Sequence, residues 1–569
     1  DISSQGTDDI PSLTDINLST GRTFTFNANQ SSNTLNINGA NASADIIIKS
    51  TTTDSNNNFT SFTNSGNGNI IYDVVNNIDK TSEASTIFGA IDTIKTNSGY
   101  SLDVDSNQLS NITALDGNGE FNINTVSDST NLSSIVTASF SGTLNIADST
   151  ADDSITGSSY GDNITISDGA DTVDGGDGSD NYIYSADANT DTIDDNGTGD
   201  TDSIVVNATA DLSAINSIDG IEQLVVDGNN TATIDKTIAD SINTYTGTGG
   251  TNNIVQINLA SGEDIDISTK SVTNLKSINI ESSTGGANTI TLGNVDNTVN
   301  AGAGDDTIKI DTTHLNSSDS LDGEEGNDTL ELLTEINSDD SKFTNTSNIQ
   351  TLKLADGDNT LDFSTSAGDI TIVDGSNANG GSDNLDLDAG SQIVTAIGGS
   401  GVDTFRYDIA NLDGTDNITG NGGIDTLSLN DSGTITSVGN LTDIEVIQFA
   451  DGGNTITLDE DGVSLVGGSG TDVFNYTQTN FNDSDIIDGN GGTDNELKLS
   501  GSVNKTLSDF DNVSGVEKLT TDTGDDTLDM SGVGNSFNTI TTGSGDDTLT
   551  INHQSSWIGK TLDGGANTG

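Results

Sequence analysis

Between Asp148 and Ile183 the chain repeats itself every nine residues. Cut at that interval it reads DSTADDSIT, GSSYGDNIT, ISDGADTVD and GGDGSDNYI. Aspartate holds the sixth position each time (Asp153, Asp162, Asp171, Asp180), and an apolar residue holds the eighth (Ile155, Ile164, Val173, Tyr182). This phase restricts the chain to stacked turns. Glycine permits a tight turn with positive φ, the aspartate places a carboxylate in that turn, and the apolar residue opens a short strand that points inward. A stack of such turns carries a row of oxygen-lined loops suited to a hard cation.

The block Gly175 to Ile183 fits GGxGxDxUx completely. These residues resemble the calcium-binding nonapeptides of the RTX (repeats-in-toxin) family of secreted bacterial proteins. The resemblance implies a parallel β-roll with two nonapeptides per turn. It also implies Ca²⁺ between neighbouring turns, held by position-six carboxylates and by main-chain carbonyls of the glycine loops. On this chain the carboxylate role falls to Asp153, Asp162, Asp171 and Asp180, and the backbone role to Gly175, Gly176 and Gly178. The first three blocks lack the double glycine. Type I secretion to the bacterial cell surface or beyond is a further implication.

Longer periods organise the rest. Leu109, Ile112, Phe121 and Ile123 recur at a constant offset as Leu132, Ile135, Leu144 and Ile146, as successive rungs of one solenoid would. That offset is a 23-residue period. Glycine-loop motifs then fall in pairs at a shorter, 22-residue interval, starting at Gly175 and Gly197, Ala301 and Gly323, Gly398 and Gly420, Gly467 and Gly489, and Thr542 and Gly564. Twenty-two is one 18-residue RTX turn plus an insertion of four. Its place shows in the spacing of 13 and then 9 in Asp306, Asp319, Asp328, in Asp403, Asp416, Asp425 and in Asp472, Asp485, Asp494. A third element follows most pairs: GIEQLVVDGNNTATI from Gly220, NIQTLKLADGDNTLDF from Asn348, DIEVIQFADGGNTITL from Asp443 and GVEKLTTDTGDDTLDM from Gly515. Each reads as two strands joined by an Asp/Gly/Asn turn.

The expected fold is all-β, a parallel β-solenoid of RTX-like β-roll or β-helix type with rungs of about 18–23 residues. Three regions are expected. Residues 1–108 form an irregular, β-rich N-terminal part, in which Ser85 to Lys95 also has weak helical character. Residues 109–300 form a solenoid that includes the nonapeptide block at 148–183. Residues 301–569 form a modular RTX-type solenoid that reads as truncated, since it stops at LDGGANTG partway into a repeat. A continuous stack at about 4.8 Å per rung would be on the order of 100–120 Å long, a spacer or building block by shape.

Candidate calcium ligands follow from the motifs. Complete copies are GGSGVDTFR (Gly398, Gly399, Gly401, Asp403) and GGSGTDVFN (Gly467, Gly468, Gly470, Asp472), beside the copy from Gly175 to Ile183 that holds Asp180. Close variants supply Asp306, Asp425 and Asp547, and the degenerate loops supply Asp202 and Asp526. The spacing rule adds Asp319, Asp328, Asp416, Asp485 and Asp494. Where asparagine stands at position six (Asn288, Asn297, Asn359, Asn454), a neutral amide is a weaker calcium ligand, and such rungs are expected to stack without metal.

Charge narrows the function classes. The chain has 89 acidic against 15 basic residues, a net charge of −74, and only 30% hydrophobic residues. That composition favours disorder unless the inward stripe of a solenoid supplies the core and cations neutralise the rest. About 20 divalent ions would cancel roughly half the charge, so folding is expected to be coupled to metal binding. Nucleic acid and anionic membrane are excluded as partners. No apolar run is long enough to span a bilayer. The absence of cysteine removes disulfides and thiolate sites. Asp1 opens into a polar segment without a signal peptide, so the chain reads as a fragment or processed product.

Catalytic signals are poor. Gly157 to Gly161 matches GxSxG but lies inside the repeat phase, and the two histidines, His314 and His553, have no motif around them. Gly559-Lys560-Thr561 matches only the end of a phosphate loop. Asp459, Glu460 and Asp461 read as a solvated turn. The chain is therefore expected to be no enzyme but an extracellular bacterial structural protein that folds on Ca²⁺ and self-assembles into a surface layer or filament. Its partners are further copies of itself, with cell-surface polysaccharide as a second class. The modular style resembles bacterial surface-layer proteins and large RTX adhesins. The alternative is the stalk segment of a calcium-dependent RTX adhesin, which presents a ligand-binding domain; in a variant of it a threonine ladder such as Thr289, Thr298, Thr307 binds carbohydrate or ice.

Overall fold

A computed structural model describes residues 13–18, 22–28, 31–39, 45–51, 63–64, 68–126, 129–186, 188–282, 285–363, 368–376, 381–388, 393–435, 438, 440–457, 463–531, 537–552 and 557–566. The chain is all-β, and its strands pair in parallel and stack as a β-solenoid. Two compact units result, one of residues 1–259 with 266–281, the other of residues 260–265 with 282–569.

In the first unit, two nonapeptides complete each turn through the block that starts at Asp148. Ile155 pairs with Val173 in one sheet and Ile164 with Tyr182 in the next, so consecutive nonapeptides alternate between two sheets. Two strands per turn leave one inward residue at every second position, and all four of these side chains are buried. The 23-residue period is equally literal: Phe121 lies beside Leu144 and Ile123 beside Ile146. Parallel pairing begins upstream of the visible period, with Thr23–Asn27, Asp45–Lys49, Ile70–Val74, Thr93–Thr96 and Ala114–Gly117 in one sheet. Ser85 to Ala90 forms successive tight turns, closed by hydrogen bonds such as Ile87 N–H to Ala84 O and Gly89 N–H to Thr86 O, before the strand at Thr93.

In the second unit the 22-residue interval is one turn: Ile308 pairs with Leu330, Phe405 with Leu427 and Leu465 with Ile487. The four-residue insertion is a capped turn between the two strands. Asn316, Asp413 and Asn482 each accept the N–H of the residue two further on, and Asp319, Asp416 and Asp485 each accept an N–H from three residues back.

The GIE-type elements change the sheet composition of the stack. At each one a new sheet starts (Asn337–Asp339, Thr434–Ile435, Asn504–Lys505) and an old one ends (Thr346–Ser347, Asn440–Thr442, Val513–Ser514). The chain then bends sharply through a residue of positive φ, Asn348 at 52°, Asp443 at 51° or Gly515 at 65°. Only Gly, Asn and Asp adopt that conformation routinely, which fixes the first letter of each motif. The second letter is apolar because it is buried: Ile349, Ile444 and Val516. Two strands follow, joined by a turn, as at Thr351–Lys353 and Thr360–Asp362.

Candidate metal centre in the stacked aspartate loops

Position-six residues of successive turns are joined by one recurrent hydrogen bond, from the backbone N–H of one to the side-chain oxygen of its counterpart a turn later. In the first unit Asp162 donates to Asp180 Oδ1 at 2.6 Å, Asp180 to Asp202 Oδ1 at 2.8 Å, and Asp202 to Glu222 Oε2 at 3.0 Å. On the opposite flank Asp153 donates to Asp171 and Asp171 to Asp191. The second unit repeats the arrangement in three ladders: Asn288, Asp306, Asp328 and Gln350; Asn359, Asp383, Asp403, Asp425 and Glu445; and Asn454, Asp472, Asn495 and Glu517. Asp526 and Asp547 form a further step. The third letter of the GIE-type elements thus ends a ladder. At that rung the longer Glu or Gln takes the place of aspartate.

Because the ladder uses one oxygen of each carboxylate, the fate of the other decides the chemistry. In some turns the chain satisfies it. Asp403 Oδ2 accepts the Gly399 N–H at 2.8 Å and Asp472 Oδ2 the Gly468 N–H at 3.0 Å. Asp162 Oδ2 accepts the N–H of Ser158, which stands where the motif has its second glycine; Ser149 does the same for Asp153 Oδ2, while Asp153 Oδ1 is buried without a partner. Asp526 is served by the Thr521 hydroxyl. In other turns the second oxygen is buried with no hydrogen-bond partner: Oδ2 of Asp171, Asp180, Asp306, Asp328, Asp383, Asp425 and Asp547. An anionic oxygen held away from both water and donors costs on the order of 1–3 kcal/mol or more.

The asparagine turns show what such an oxygen lacks. Asn359 Nδ2 donates to Ala355 O (2.9 Å) and Gly357 O (3.3 Å), Asn454 Nδ2 to Ala450 O (3.0 Å) and Gly452 O (3.3 Å), and Asn297 Nδ2 to Gly293 O and Val295 O. The amide places positive hydrogens among the loop carbonyls. An ionised carboxylate brings none, so at the same ladder position the positive charge must come from a retained proton or from a bound cation. Elsewhere the chain supplies it: Lys342 Nζ caps Thr312 O and Leu315 O, and Lys505 Nζ caps Phe481 O.

Burial raises a number of the ladder carboxyls. Desolvation, reinforced by Asp162, Asp195 and Asp202, pushes Asp180 up to about 9. Desolvation lifts Asp162 and Asp171 to about 7 and Asp202, Asp328 and Asp383 to about 6. Asp306, Asp319, Asp403, Asp416 and Asp425 shift upward for the same first cause. Among the described residues, Asp180, Asp195 and Asp202 offer carboxylate oxygens within 4.8 Å of one another, all three side chains being buried. The donor set is all oxygen, and a bound cation would displace the protons that burial retains on it, which fits calcium.

The glycines of the motif let loops touch backbone to backbone. A Cβ on Gly178, whose φ is 113°, would stand 2.4 Å from the Tyr160 carbonyl carbon, and one on Gly401 would stand 1.6 Å from Gly381 O. Gly175 N–H donates to the Tyr182 hydroxyl. Gly176, Gly398, Gly467 and Gly470 are packed as closely against a neighbouring turn or the aspartate of their own loop.

No protein-family description, curated protein or solved structure matches the chain.

The ladder brings together the position-six aspartates named from the sequence, with Asp494 outside it. Asp494 has φ 69°, faces solvent and pairs with Lys518, while Asn495 takes the ladder position. Asp319, Asp416 and Asp485 serve the capped insertion turns, and Asp319 also accepts the Asn297 N–H as a ladder step. Sequence reasoning missed Asp191, Asp195, Asp383 and the terminal Glu or Gln. Asp383 carries a signal, a Gly-Gly-Ser-Asp run that ends one turn before Asp403. Asp191 and Asp195 sit in TDTIDD with no such run. Thr289 and Thr307 are direct neighbours, continued by Thr329 and Thr351, whereas Thr298 pairs with Ser320 in another sheet. Ser159, the serine of the GxSxG match, is an exposed turn residue. His553 and the run Asp459 to Asp461 lie outside the described residues.

Proposed function

We propose that the chain is an extracellular calcium-binding structural protein that folds on Ca²⁺ and self-assembles into a bacterial surface layer or filament. One observation carries the calcium reading. At Asn359 and Asn454 the ladder position is self-sufficient, whereas at Asp171, Asp180, Asp306, Asp328, Asp383, Asp425 and Asp547 aspartate leaves a buried oxygen without a partner. Calcium supplies positive charge and oxygen coordination there. The chain's own residues hold the carboxylates in line, pack the glycine loops closely around them, and close four of the ladders with Glu222, Gln350, Glu445 or Glu517. Assembly is argued from charge: bare chains at −74 repel one another, and bridging ions remove that barrier.

A second reading is a calcium-dependent adhesin stalk, favoured by the outward row Thr289, Thr307, Thr329 and Thr351, which would present a regular surface to carbohydrate or ice. Small-angle X-ray scattering during a calcium titration from chelator tests both. A chain that is looser in chelator, becomes compact with calcium and then forms larger ordered particles supports the layer or filament; compaction that stops at the monomer supports the stalk. A scattering curve that ignores calcium overturns both.

A further inference from the structure

The carboxylate of Asp195 lies outside the nine-residue pattern. It follows the strand Thr192–Asp194, and it is 6% exposed, facing inward toward the ladder. Its Oδ1 accepts the Gly197 N–H at 2.8 Å, and its Oδ2 accepts the Tyr182 hydroxyl at 2.6 Å. Tyr182 is itself fully buried, and its oxygen accepts the Gly175 N–H at 2.8 Å, so the ring is pinned from both sides. Asp180, with no exposure, has Oδ1 committed to Asp162 N–H and Oδ2 without any partner. That oxygen and the Tyr182 hydroxyl converge on the space beside Gly175: a Cβ there would stand 2.3 Å from the one and 2.7 Å from the other. Asp202 completes the group through its place one turn later in the ladder.

We propose that Asp180, Asp195 and Asp202 form one inward-facing three-carboxylate cation site, oriented by Tyr182, which takes a hard cation ahead of every other loop on the chain. Among the described residues it is the cluster in which three carboxylates offer oxygens within 4.8 Å of one another, one of them, Asp180 Oδ2, without a partner. Three carboxylates carry a formal charge of about −3, so Ca²⁺ leaves about one negative charge and a trivalent lanthanide leaves none. The site therefore prefers Tb³⁺ to Ca²⁺ and fills first with either. It deepens the calcium reading without depending on it, because its ligands suffice even if the other loops bind nothing.

Terbium luminescence on the full chain tests this. Tyr182 touches the site, so the first equivalent of Tb³⁺ gives tyrosine-sensitised emission, which excess Ca²⁺ reverses. Tyr182→Phe removes only a hydroxyl and abolishes most of that emission, while Tyr184→Phe, whose hydroxyl serves Asp191, keeps it. Asp195→Asn retains a hydrogen-bonding side chain but weakens first-equivalent binding at least tenfold; Asp494→Asn, in the exposed ion pair, leaves it unchanged. Unaltered emission in Tyr182→Phe, or unaltered first-equivalent affinity in Asp195→Asn, overturns the proposal. Should the other aspartate loops prove indifferent to calcium while this site fills, the folding mechanism fails and the site stands.

Discussion

Replacing Asp425 by asparagine is expected to reverse its effect with calcium. Asp425 is fully buried; Oδ1 accepts the Asp403 N–H at 2.7 Å and Oδ2 has no partner. In chelator, Asp425→Asn removes an isolated buried charge and adds an N–H₂ that can reach loop carbonyls, as Asn454 does at 3.0 and 3.3 Å. The gain is about 1–3 kcal/mol, the cost of one unsatisfied buried polar group. In millimolar calcium the same substitution removes a ligand, and a roughly tenfold loss of affinity corresponds to about 1.4 kcal/mol of destabilisation. The reciprocal change, Asn454→Asp, breaks the bonds to Ala450 O and Gly452 O and a third to Asp472 Oδ1 at 2.8 Å, and sets two carboxylates side by side. It costs about 3 kcal/mol or more in chelator, and calcium recovers much of that loss. Urea unfolding followed by circular dichroism, with and without calcium, reads all four values. If Asp425→Asn lowers stability equally in both conditions, the carboxylate is only a turn residue and the cation argument fails.

Stability in chelator should fall as pH rises. Asp162, Asp171, Asp180 and Asp202 have folded-state values raised to between about 6 and 9, so their contribution is complete below the ordinary carboxyl range and is lost through that window. Thermal melts between pH 5 and 9 would descend in chelator and flatten in calcium; a rise with pH in chelator contradicts the burial of these groups. At the ladder ends, Glu445→Gln is expected to change stability by no more than about 0.5 kcal/mol, because Gln350 already serves that role, whereas Glu445→Ala strands the Asp425 N–H and costs about 1–3 kcal/mol in urea unfolding. Phe405→Ala should cost about 3–5 kcal/mol and lower the urea midpoint with or without calcium, since the ring is fully buried in the solenoid.

Much of this protein is legible in its residues because each turn of a parallel stack must repeat one local solution. Two periods of nine put Ile155 over Val173, period 23 put Phe121 over Leu144, and period 22 put Phe405 over Leu427. The Gly, Asn or Asp that opens each GIE-type element follows from backbone sterics alone. Tertiary structure decided the rest. It determined that Asn495 and not Asp494 enters the ladder, a choice made by which residue takes positive φ. It assigned the second oxygen of each aspartate, satisfied at Asp403 and Asp472 by a glycine N–H and orphaned at Asp180 and Asp425, although all four sit in similar motifs. It also carried Asp195 and Tyr182 to the same point, since a contact across the interior of a turn leaves no period in the sequence. Repetition along a stack is written in one dimension, whereas the satisfaction of a buried charge depends on every atom that surrounds it.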